Sequence, residues 1–204
     1  MLDSDREVTS VKVLGTASGT DQHGNGSTAL LNGAADSSAF TKSSIHATAV
    51  VEHGDRIGTE ANVWHFSHVR SGARIGAGCM LGKGVYVGET ARIGDGVRIQ
   101  NDVSVFSGIT LEDEVFVGPH ATFTNDRYPR AVNLIDPDFA ETVVRQGATL
   151  GAGCVVVAGI EVGHYATIGA GAVVTESVRQ HACVVGNPAH QIGWVCRCGR
   201  RMEG

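Results

Sequence analysis

The chain has 204 residues, of which 28 are glycine and only 18% are charged, and its net charge is −5. A low and negative charge argues against a nucleic-acid-binding protein, which needs a basic face. No apolar stretch of about 18 residues occurs, so no membrane span is predicted, and the N-terminus lacks the basic and apolar segments of a secretory signal. Together with an odd count of five cysteines, these features favour a reduced, cytoplasmic protein.

Residues 1–44 are rich in Ser, Gly, Asp and Asn and show no hydrophobic period, which predicts a flexible leader. From residue 45 to residue 123 every sixth residue is aliphatic or, at the last position, aromatic. The positions are Ile45, Val51, Ile57, Val63, Val69, Ile75, Leu81, Val87, Ile93, Ile99, Val105, Leu111, Val117 and Phe123. The residue two places earlier is usually small or aliphatic, and glycine often follows.

A period of six fits neither an α-helix nor a free-standing strand and is typical of a coiling repeat. It predicts an all-β hexapeptide solenoid, a parallel β-helix in which three hexads close one triangular coil and the aliphatic residues point inward. Cys79 and Cys154 occupy small inward positions, so both are expected to be inert buried thiols.

The period breaks at residues 124–143, which carry Pro129 and Pro137 and must leave the β-helix as an extruded loop. A long loop inside so regular a repeat is usually functional. The hexads resume at Val144 and end near residue 178, so the β-helix domain is predicted to span residues 45–178. Residues 179–204 form a short C-terminal extension with a turn at Asn187-Pro188.

Outward corners are the places for polar chemistry, because the interior of the solenoid is filled. The corner residue lies two positions after each inward aliphatic, and residues 18 apart stack in successive coils. One edge then carries His65, Lys83 and Asn101 in successive coils. A second edge carries Glu89, Ser107 and Asn125. Gln100, Asn101 and Asp102 form a polar cluster, and Asn125 opens the extruded loop. A ligand site is expected in a groove between subunits under that loop, which points to three chains packed around a threefold axis.

Two patterns invite a metal site, and neither is complete. His65, His68 and His120 occupy different hexad positions and do not stack toward one ion. Cys196 and Cys198 resemble half of a zinc ribbon, but a structural zinc needs four ligands and no second pair follows. We predict no metal site.

Four strings are more specific than the repeat itself: VWHF at 63–66, QNDVSV at 100–105, FTN followed by PR at 123–130, and VGNPA followed by IGW at 185–194. With these strings the chain resembles, over residues 45–195, the hexapeptide-repeat N-acetyltransferases of nucleotide-linked 3-amino sugars. The most similar type acts on UDP-2-acetamido-3-amino-2,3-dideoxyglucuronate in surface-polysaccharide synthesis. The resemblance implies a left-handed β-helix, a homotrimer, and acetyl-CoA as cosubstrate in the groove between subunits.

The resemblance also implies roles for particular residues. Asn125 would be catalytic, beside the amine that is acetylated. The sugar nucleotide would be held by His65, Asn101, Gln100, Glu89 and Arg130. Acetyl-CoA would lie against Ala158, Gly159, Gly153 and Gly171. Relatives often carry an acidic residue where this chain has Ser107.

The implied chemistry makes modest demands. A sugar amine beside electron-withdrawing carbons has a pKa nearer the α-amino range of about 7.7–8.0 than that of lysine, about 10.4, so a strong base is optional. Positioning supplies most of the rate gain, backbone amides would stabilise the oxyanion, and Asn125 would accept a hydrogen bond from the amine. The alternatives are an O-acetyltransferase, with His120 as the only candidate base, and a zinc-dependent hydratase or a non-enzymatic scaffold on the same coils.

Overall fold

The computed structural model describes residues 42–52, 56–132 and 139–203, so nearly all of the predicted leader lies outside the described residues. Very short strands follow one another at regular spacing. They are β1 (Ser44–Ile45), β2 (Val50–Val51), β3 (Asn62–Val63), β4 (His68–Val69), β5 (Arg74–Ile75), β6 (Met80–Leu81), β7 (Tyr86–Val87), β8 (Arg92–Ile93), β9 (Arg98–Ile99), β10 (Ser104–Val105), β11 (Ile109–Leu111), β12 (Phe116–Val117), β13 (Thr122–Phe123), β14 (Thr142–Val144), β15 (Thr149–Leu150), β16 (Val155–Val156), β17 (Glu161–Val162), β18 (Thr167–Ile168), β19 (Val173–Val174), β20 (Ala182–Val185) and β21 (His190–Trp194). Within these ranges no helix is long and apolar enough to cross a bilayer.

The strands stack into three sheets, which we call A, B and C. Sheet A has the order β1-β3-β6-β9-β12-β15-β18-β20-β21, sheet B the order β2-β4-β7-β10-β13-β16-β19, and sheet C the order β5-β8-β11-β14-β17. Neighbouring strands are parallel, except β20 and β21, and residues 18 apart are in register in the regular coils, as Asn62 is with Met80. Three hexads therefore complete one coil of a β-helix, as the period of six predicts.

The inward positions form one continuous aliphatic core. Val63 and Val69 are each 2% exposed, and Leu81, Val87 and Ile99 are fully buried. Ile45, at the first described coil, is 41% exposed. The glycine that follows an inward residue lets the next coil approach closely, since a Cβ on Gly88 would lie 2.6 Å from the nitrogen of Ser107.

The cysteines divide into a buried and a paired group. Cys79 and Cys154 are fully buried in the core, and this burial raises the pKa of each thiol to about 11. Both are therefore protonated and inert at neutral pH, as predicted. Cys196 and Cys198 are joined by a disulfide, whereas the cysteine count had led us to expect a fully reduced chain.

The extruded loop, which we call the excursion, spans residues 124–141 and is shorter than the predicted 124–143. β13 ends at Phe123, an antiparallel bridge joins Asp126 to Phe139, and β14 starts at Thr142. Ala140 and Thr142 are already buried. Partners across the break are 33 residues apart instead of 18, so the excursion inserts 15 residues. Because 15 is not a multiple of six, the hexad phase shifts along the sequence, yet the inward residues stay stacked, as Val117 is on Leu150. Pro137 lies outside the described residues.

The last strands continue sheet A past the final hexad. β20 pairs in parallel with β18, and β21 folds back antiparallel on β20 after a turn that contains the Asn187-Pro188 pair. Ala182 and Val184 are buried against the coils below. The sheet thus extends beyond residue 178, where the hexad pattern stops, while our division of the chain into leader, β-helix and extension stays a prediction.

Candidate functional site

Most of the predicted site residues lie at two of the three corners of the β-helix. We call the corner between sheets A and B the A–B column and the corner between sheets B and C the B–C column. The Lys83 N–H donates to Asn101 Oδ1 at 2.9 Å, which aligns these residues along the A–B column. Asn125 Nδ2 donates to the carbonyl oxygen of Ser107 at 3.1 Å, which aligns the B–C column. The two sets of stacked corner residues are therefore found as the spacing of 18 predicts.

The A–B column begins with aromatic rings. The rings of His46 and His65 stack with their centroids 3.5 Å apart, and the ring of Trp64 lies nearly parallel to that of His65 with the centroids 6.1 Å apart. One coil further, Lys83 Nζ pairs with Asp102 Oδ2 at 3.2 Å. His65 thus lies in an exposed aromatic cluster with a cation beside it.

The side chain of Asn125 is fixed through its Nδ2 atom, whereas its Oδ1 atom is accessible as an acceptor. Its backbone oxygen accepts the Ala140 N–H at 2.9 Å, across the neck of the excursion, and its Nδ2 is used by the Ser107 carbonyl. Among the described residues no donor reaches its Oδ1 atom, and the side chain is half-buried. Asn125 therefore presents an oriented acceptor at the mouth of the excursion.

Ala158 and Gly159 lie one coil beyond Asn125 on the B–C column, but their N–H groups are engaged. The Ala158 N–H donates to Thr124 Oγ1 at 2.9 Å, and the Gly159 N–H donates to Thr142 Oγ1 at 3.0 Å. Neither amide is free to hold an oxyanion or a cofactor. Any contact of these two residues with acetyl-CoA is limited to their carbonyl and Cα surfaces.

Arg127 is a neighbour of this site that the sequence analysis missed. Its guanidinium lies so close over Gly159 that a Cβ there would collide with it, and Gly159 has a φ of 83°. Arg127 makes no ion pair with a described residue. The excursion thus places the Arg127 guanidinium over Gly159 of the next coil, a contact that no local spacing in the sequence could reveal.

Glu89, predicted to bind substrate, is engaged by another side chain. Arg70 Nη2 lies 2.6 Å from its carboxylate, and Arg70 Nε lies 2.9 Å from Glu52. The pKa of Glu52 is lowered, first by the Ser71 N–H and then by His68 and Arg70. Both carboxylates pair with the same arginine, and Glu89 offers little free charge to a ligand.

The remaining predicted residues are scattered. Gln100 is half-buried at the base of the A–B corner, and Arg130 is exposed in the excursion with its Nη1 on the Pro129 carbonyl. Gly153 and Gly171 lie on the A–B column with φ values of 64° and 67°, and a Cβ on either would meet nothing within 4 Å. Their surface is an open track along the coils.

The predicted site residues therefore fall on two different corners of one chain. Asn125, Glu89, Ala158 and Gly159 share the B–C column, whereas His65, Asn101, Gln100, Gly153 and Gly171 share the A–B column. As for metals, no group of three or more His, Cys, Asp or Glu in residues 42–52, 56–132 and 139–203 could hold an ion.

Comparison with known families identifies the repeat. Residues 141–176 match the family model for the bacterial transferase hexapeptide (six repeats), and residues 72–107 match that for the hexapeptide repeat of succinyl-transferase. A stretch of 65 residues is 45% identical to dTDP-3-amino-3,6-dideoxy-α-D-galactopyranose 3-N-acetyltransferase of Aneurinibacillus thermoaerophilus, covering 32% of this chain and 34% of the relative. The predicted resemblance to hexapeptide-repeat sugar-nucleotide N-acetyltransferases is thereby confirmed.

A second relative has a different acceptor. A stretch of 95 residues is 34% identical to serine acetyltransferase of Buchnera aphidicola subsp. Acyrthosiphon pisum (strain APS), covering 43% of this chain and 30% of the relative. The chain thus spans about a third of the length of the curated relatives it matches.

Solved structures share the architecture. The acetyltransferase domain of PglB from Neisseria gonorrhoeae FA1090, in complex with acetyl coenzyme A, superposes with a TM-score of 0.52 at 24% identity over 62% of this chain and 54% of that chain. A hexapeptide-repeat acetyltransferase of Vibrio cholerae O1 biovar eltor, also complexed with acetyl coenzyme A, gives 0.52 at 22% identity over 57% and 67%. At these identities the likeness shows the fold, and it confirms the predicted left-handed β-helix.

Proposed function

We propose that this protein is an N-acetyltransferase that moves the acetyl group of acetyl-CoA to the amino group of a nucleotide-linked 3-amino sugar, for surface-polysaccharide synthesis. The relative of 45% identity catalyses a reaction of this kind, as its name states. The observation that carries the proposal is the oriented, open Oδ1 acceptor of Asn125 at the mouth of the excursion.

In this proposal Asn125 acts by orientation. Its Oδ1 accepts a hydrogen bond from the sugar amine, of which about a tenth is neutral at pH 7 and about half at pH 8 if its pKa resembles that of an α-amino group, about 7.7–8.0. The nitrogen lone pair then points at the thioester carbonyl, the C–N bond forms, the C–S bond breaks, and the amine proton leaves with the CoA thiolate or water. Holding the two reactants in this geometry supplies most of the rate gain.

The negative charge on the thioester oxygen needs a donor other than the amides of Ala158 and Gly159. Arg127 lies directly over Gly159 and makes no ion pair with a described residue. We assign it the stabilisation of the developing oxyanion, since a positive charge placed where negative charge develops lowers the barrier.

The division of the site between two corners supports a homotrimer. The A–B and B–C columns are different edges of one prism, and they can meet only if the edge of one chain packs against another chain. Outward residues of sheet C include the charged Arg74, Arg92 and Glu161. Sheet A exposes Phe116 and one arginine, Arg98, and sheet B exposes Val50. Sheets A and B are therefore the faces proposed to pack around the threefold axis.

Acetyl-CoA is placed along the open track of Gly153 and Gly171, where nothing would obstruct a long, thin ligand. Both substrates are charged nucleotides that do not cross a bilayer unaided. We therefore place the reaction in the cytoplasm.

O-acetylation is the second candidate, favoured by the match to serine acetyltransferase. A hydroxyl is a poor nucleophile and needs a base. His120 is exposed on the A–B column, and within the described part of the chain no carboxylate bonds its ring. It thus lacks the orienting partner of a strong base.

The deciding experiment is an acceptor panel with acetyl-CoA, followed by release of free thiol. The panel contains UDP-, dTDP- and GDP-linked 3-amino sugars, their 3-hydroxy counterparts as matched controls, and serine. Turnover with an amino sugar and none with its 3-hydroxy counterpart supports N-acetylation. Turnover only with hydroxyl acceptors would replace the proposal by the second candidate.

A further inference from the structure

An exposed aromatic platform stands at the start of the A–B column. Trp64, His65 and Phe66 are consecutive, and the ring of His46 stacks on His65. Trp64 is 46% exposed and Phe66 is 67% exposed. The chain contains only 5% aromatic residues, and a cluster of exposed rings on a protein surface commonly marks a binding site.

Phe66 occupies a backbone conformation that disfavours a bulky side chain. Its φ is 58°, in the left-handed region. The equivalent corner position in later coils is also left-handed: it is held by Gly84, Gly153 and Gly171, with φ values of 69°, 64° and 67°, and by Asp102 and His120, with φ values of 59° and 58°. Among the residues at this position Phe66 is the large apolar side chain, and its exposed ring contributes little to the packing of the core. A large apolar ring held in solvent at a left-handed corner favours a role in binding.

The groups that follow the aromatic rings along the A–B column could bind the diphosphate and sugar of a nucleotide. Lys83 follows one coil later, with a side chain that is 53% exposed, and Asn101 follows two coils later. Lys83 Nζ pairs with Asp102 Oδ2 at 3.2 Å, but an ammonium group has three N–H donors, so a diphosphate can share it with this carboxylate. Coils are about 4.8 Å apart, so a ring platform, a cation and an amide succeed one another over about 10 Å. A nucleobase, a diphosphate and a sugar have the same order and a similar spacing.

We propose that the platform of Trp64, His65 and Phe66 binds the nucleobase of a nucleoside diphosphate, with the base stacked on Phe66 and the diphosphate beside Lys83. Every base has a π-face, and stacking on aromatic side chains is the usual way to hold one without reading its edge. The proposal names the nucleotide-binding end of the substrate and rests on the proposed sugar-nucleotide acceptor.

Binding is tested by calorimetry with UDP, dTDP and GDP, without acetyl-CoA. Phe66→Gly removes the ring and relieves the left-handed strain, so it is expected to weaken nucleotide binding about tenfold while the melting temperature stays the same or rises. Phe66→Trp keeps a ring and is expected to keep affinity. Trp194→Ala, which removes an exposed aromatic ring at the opposite end of sheet A, is the matched control.

Two further measurements separate the base from the phosphates. Inorganic pyrophosphate should bind equally to the wild type and to Phe66→Gly, but less to Lys83→Ala. The chain has two tryptophans, so in Trp194→Phe the fluorescence reports on Trp64 alone and should change on addition of UDP.

Unchanged nucleotide affinity in Phe66→Gly would overturn the proposal, as would failure of all three nucleotides to bind the wild type. So would a Phe66→Gly protein that binds normally per chain but dissociates into smaller species, because the platform would then be a contact between copies of this chain. These outcomes are independent of the acetyl-transfer assay. A platform that binds nucleotides in a protein inactive with every amino sugar refutes the proposed function alone.

Discussion

Asn125 illustrates how a single side chain can be structural at one end and functional at the other. Its Nδ2 hydrogen bond to Ser107 holds the amide in place, and its Oδ1 remains available as an acceptor. Removing the side chain opens no cavity in the aliphatic core, because the residue is a corner outside it.

Asn125→Ala should therefore lower kcat by about tenfold or more, since the lost orientation raises the barrier by at least about 1.4 kcal/mol. Stability should fall by only about 1 kcal/mol, the worth of one hydrogen bond. Thiol-release kinetics and thermal melts measure the two effects. Asn62→Ala, at an exposed position of sheet A, is the control that should leave kcat unchanged. A wild-type rate in Asn125→Ala would remove the role given to this residue.

An aspartate should destabilise the protein at an inward position of a strand but not at the outward position beside it. Ile93 is 4% exposed in the stacked core, whereas Arg92 beside it points outward and is exposed. Ile93→Asp buries an unpaired carboxylate and should cost more than ~3 kcal/mol, enough to unfold the protein or nearly so. Arg92→Asp should melt close to the wild type. A soluble, normally melting Ile93→Asp protein would contradict the phase of the repeat.

At the scale of elements, the excursion interrupts the stacking of the coils, and Arg145 connects the two sides. Its guanidinium lies 2.8 Å from Glu112, which precedes the excursion, and 2.7 Å from Glu161 in the next coil. For Glu112, burial alone would raise the pKa, but the hydrogen bonds from Arg145 and the Gln146 N–H outweigh it and the pKa is lowered. Hydrogen bonding to Arg145 also lowers the pKa of Glu161.

A lowered carboxyl pKa stabilises the folded state above the ordinary value of about 4.5, and this stability is lost as the pH falls through the lower, folded-state value. Arg145→Ala should therefore melt below the wild type at pH 7, with the difference narrowing as the pH falls below 4.5. Because these groups are partly exposed, the effect is expected to be modest.

Melting temperatures from pH 7 to pH 3 provide the test of this ion network. The control is Arg92→Ala, because Arg92 forms no ion pair with a described residue. Its difference from the wild type should not depend on pH. A pH-independent difference for Arg145→Ala would show that the network does not link stability to pH.

At the scale of the whole molecule, the site residues on the A–B and B–C columns of one chain lie apart. Light scattering should give a mass three times that of the 21.2 kDa chain. Mixing inactive Asn125→Ala chains with chains that carry an inactivating change on the A–B column, Asn101→Ala, should restore part of the activity. A monomer with full activity would show that one chain holds the whole site.

Metal dependence is also a property of the assembled protein. Amide formation from a thioester needs no metal ion, so activity should survive a strong chelator, and purified protein should contain well under one zinc per chain. Stoichiometric zinc, with activity lost on chelation and restored by zinc, would favour the hydratase alternative.

The sequence by itself determined the β-helix, because each inward position must be filled by an aliphatic side chain and the next coil repeats this demand 18 residues later. The same spacing predicted the stacks of His65 with Asn101 and of Ser107 with Asn125. Cys79 and Cys154 could be placed in the core for the same reason. These features follow from a local rule that repeats along the chain.

Only the tertiary structure decided which polar groups are already in use. The Ala158 and Gly159 amides donate to Thr124 and Thr142, and Glu89 is engaged by Arg70. These contacts join residues 17 to 34 positions apart. Pairs of hydrogen-bonding residues produce no hydrophobic periodicity, so the sequence pattern does not reveal them. The approach of Arg127 to Gly159 likewise depends on how the excursion folds back. Periodicity specifies the coils, whereas the chemistry at their corners depends on contacts between side chains of different coils.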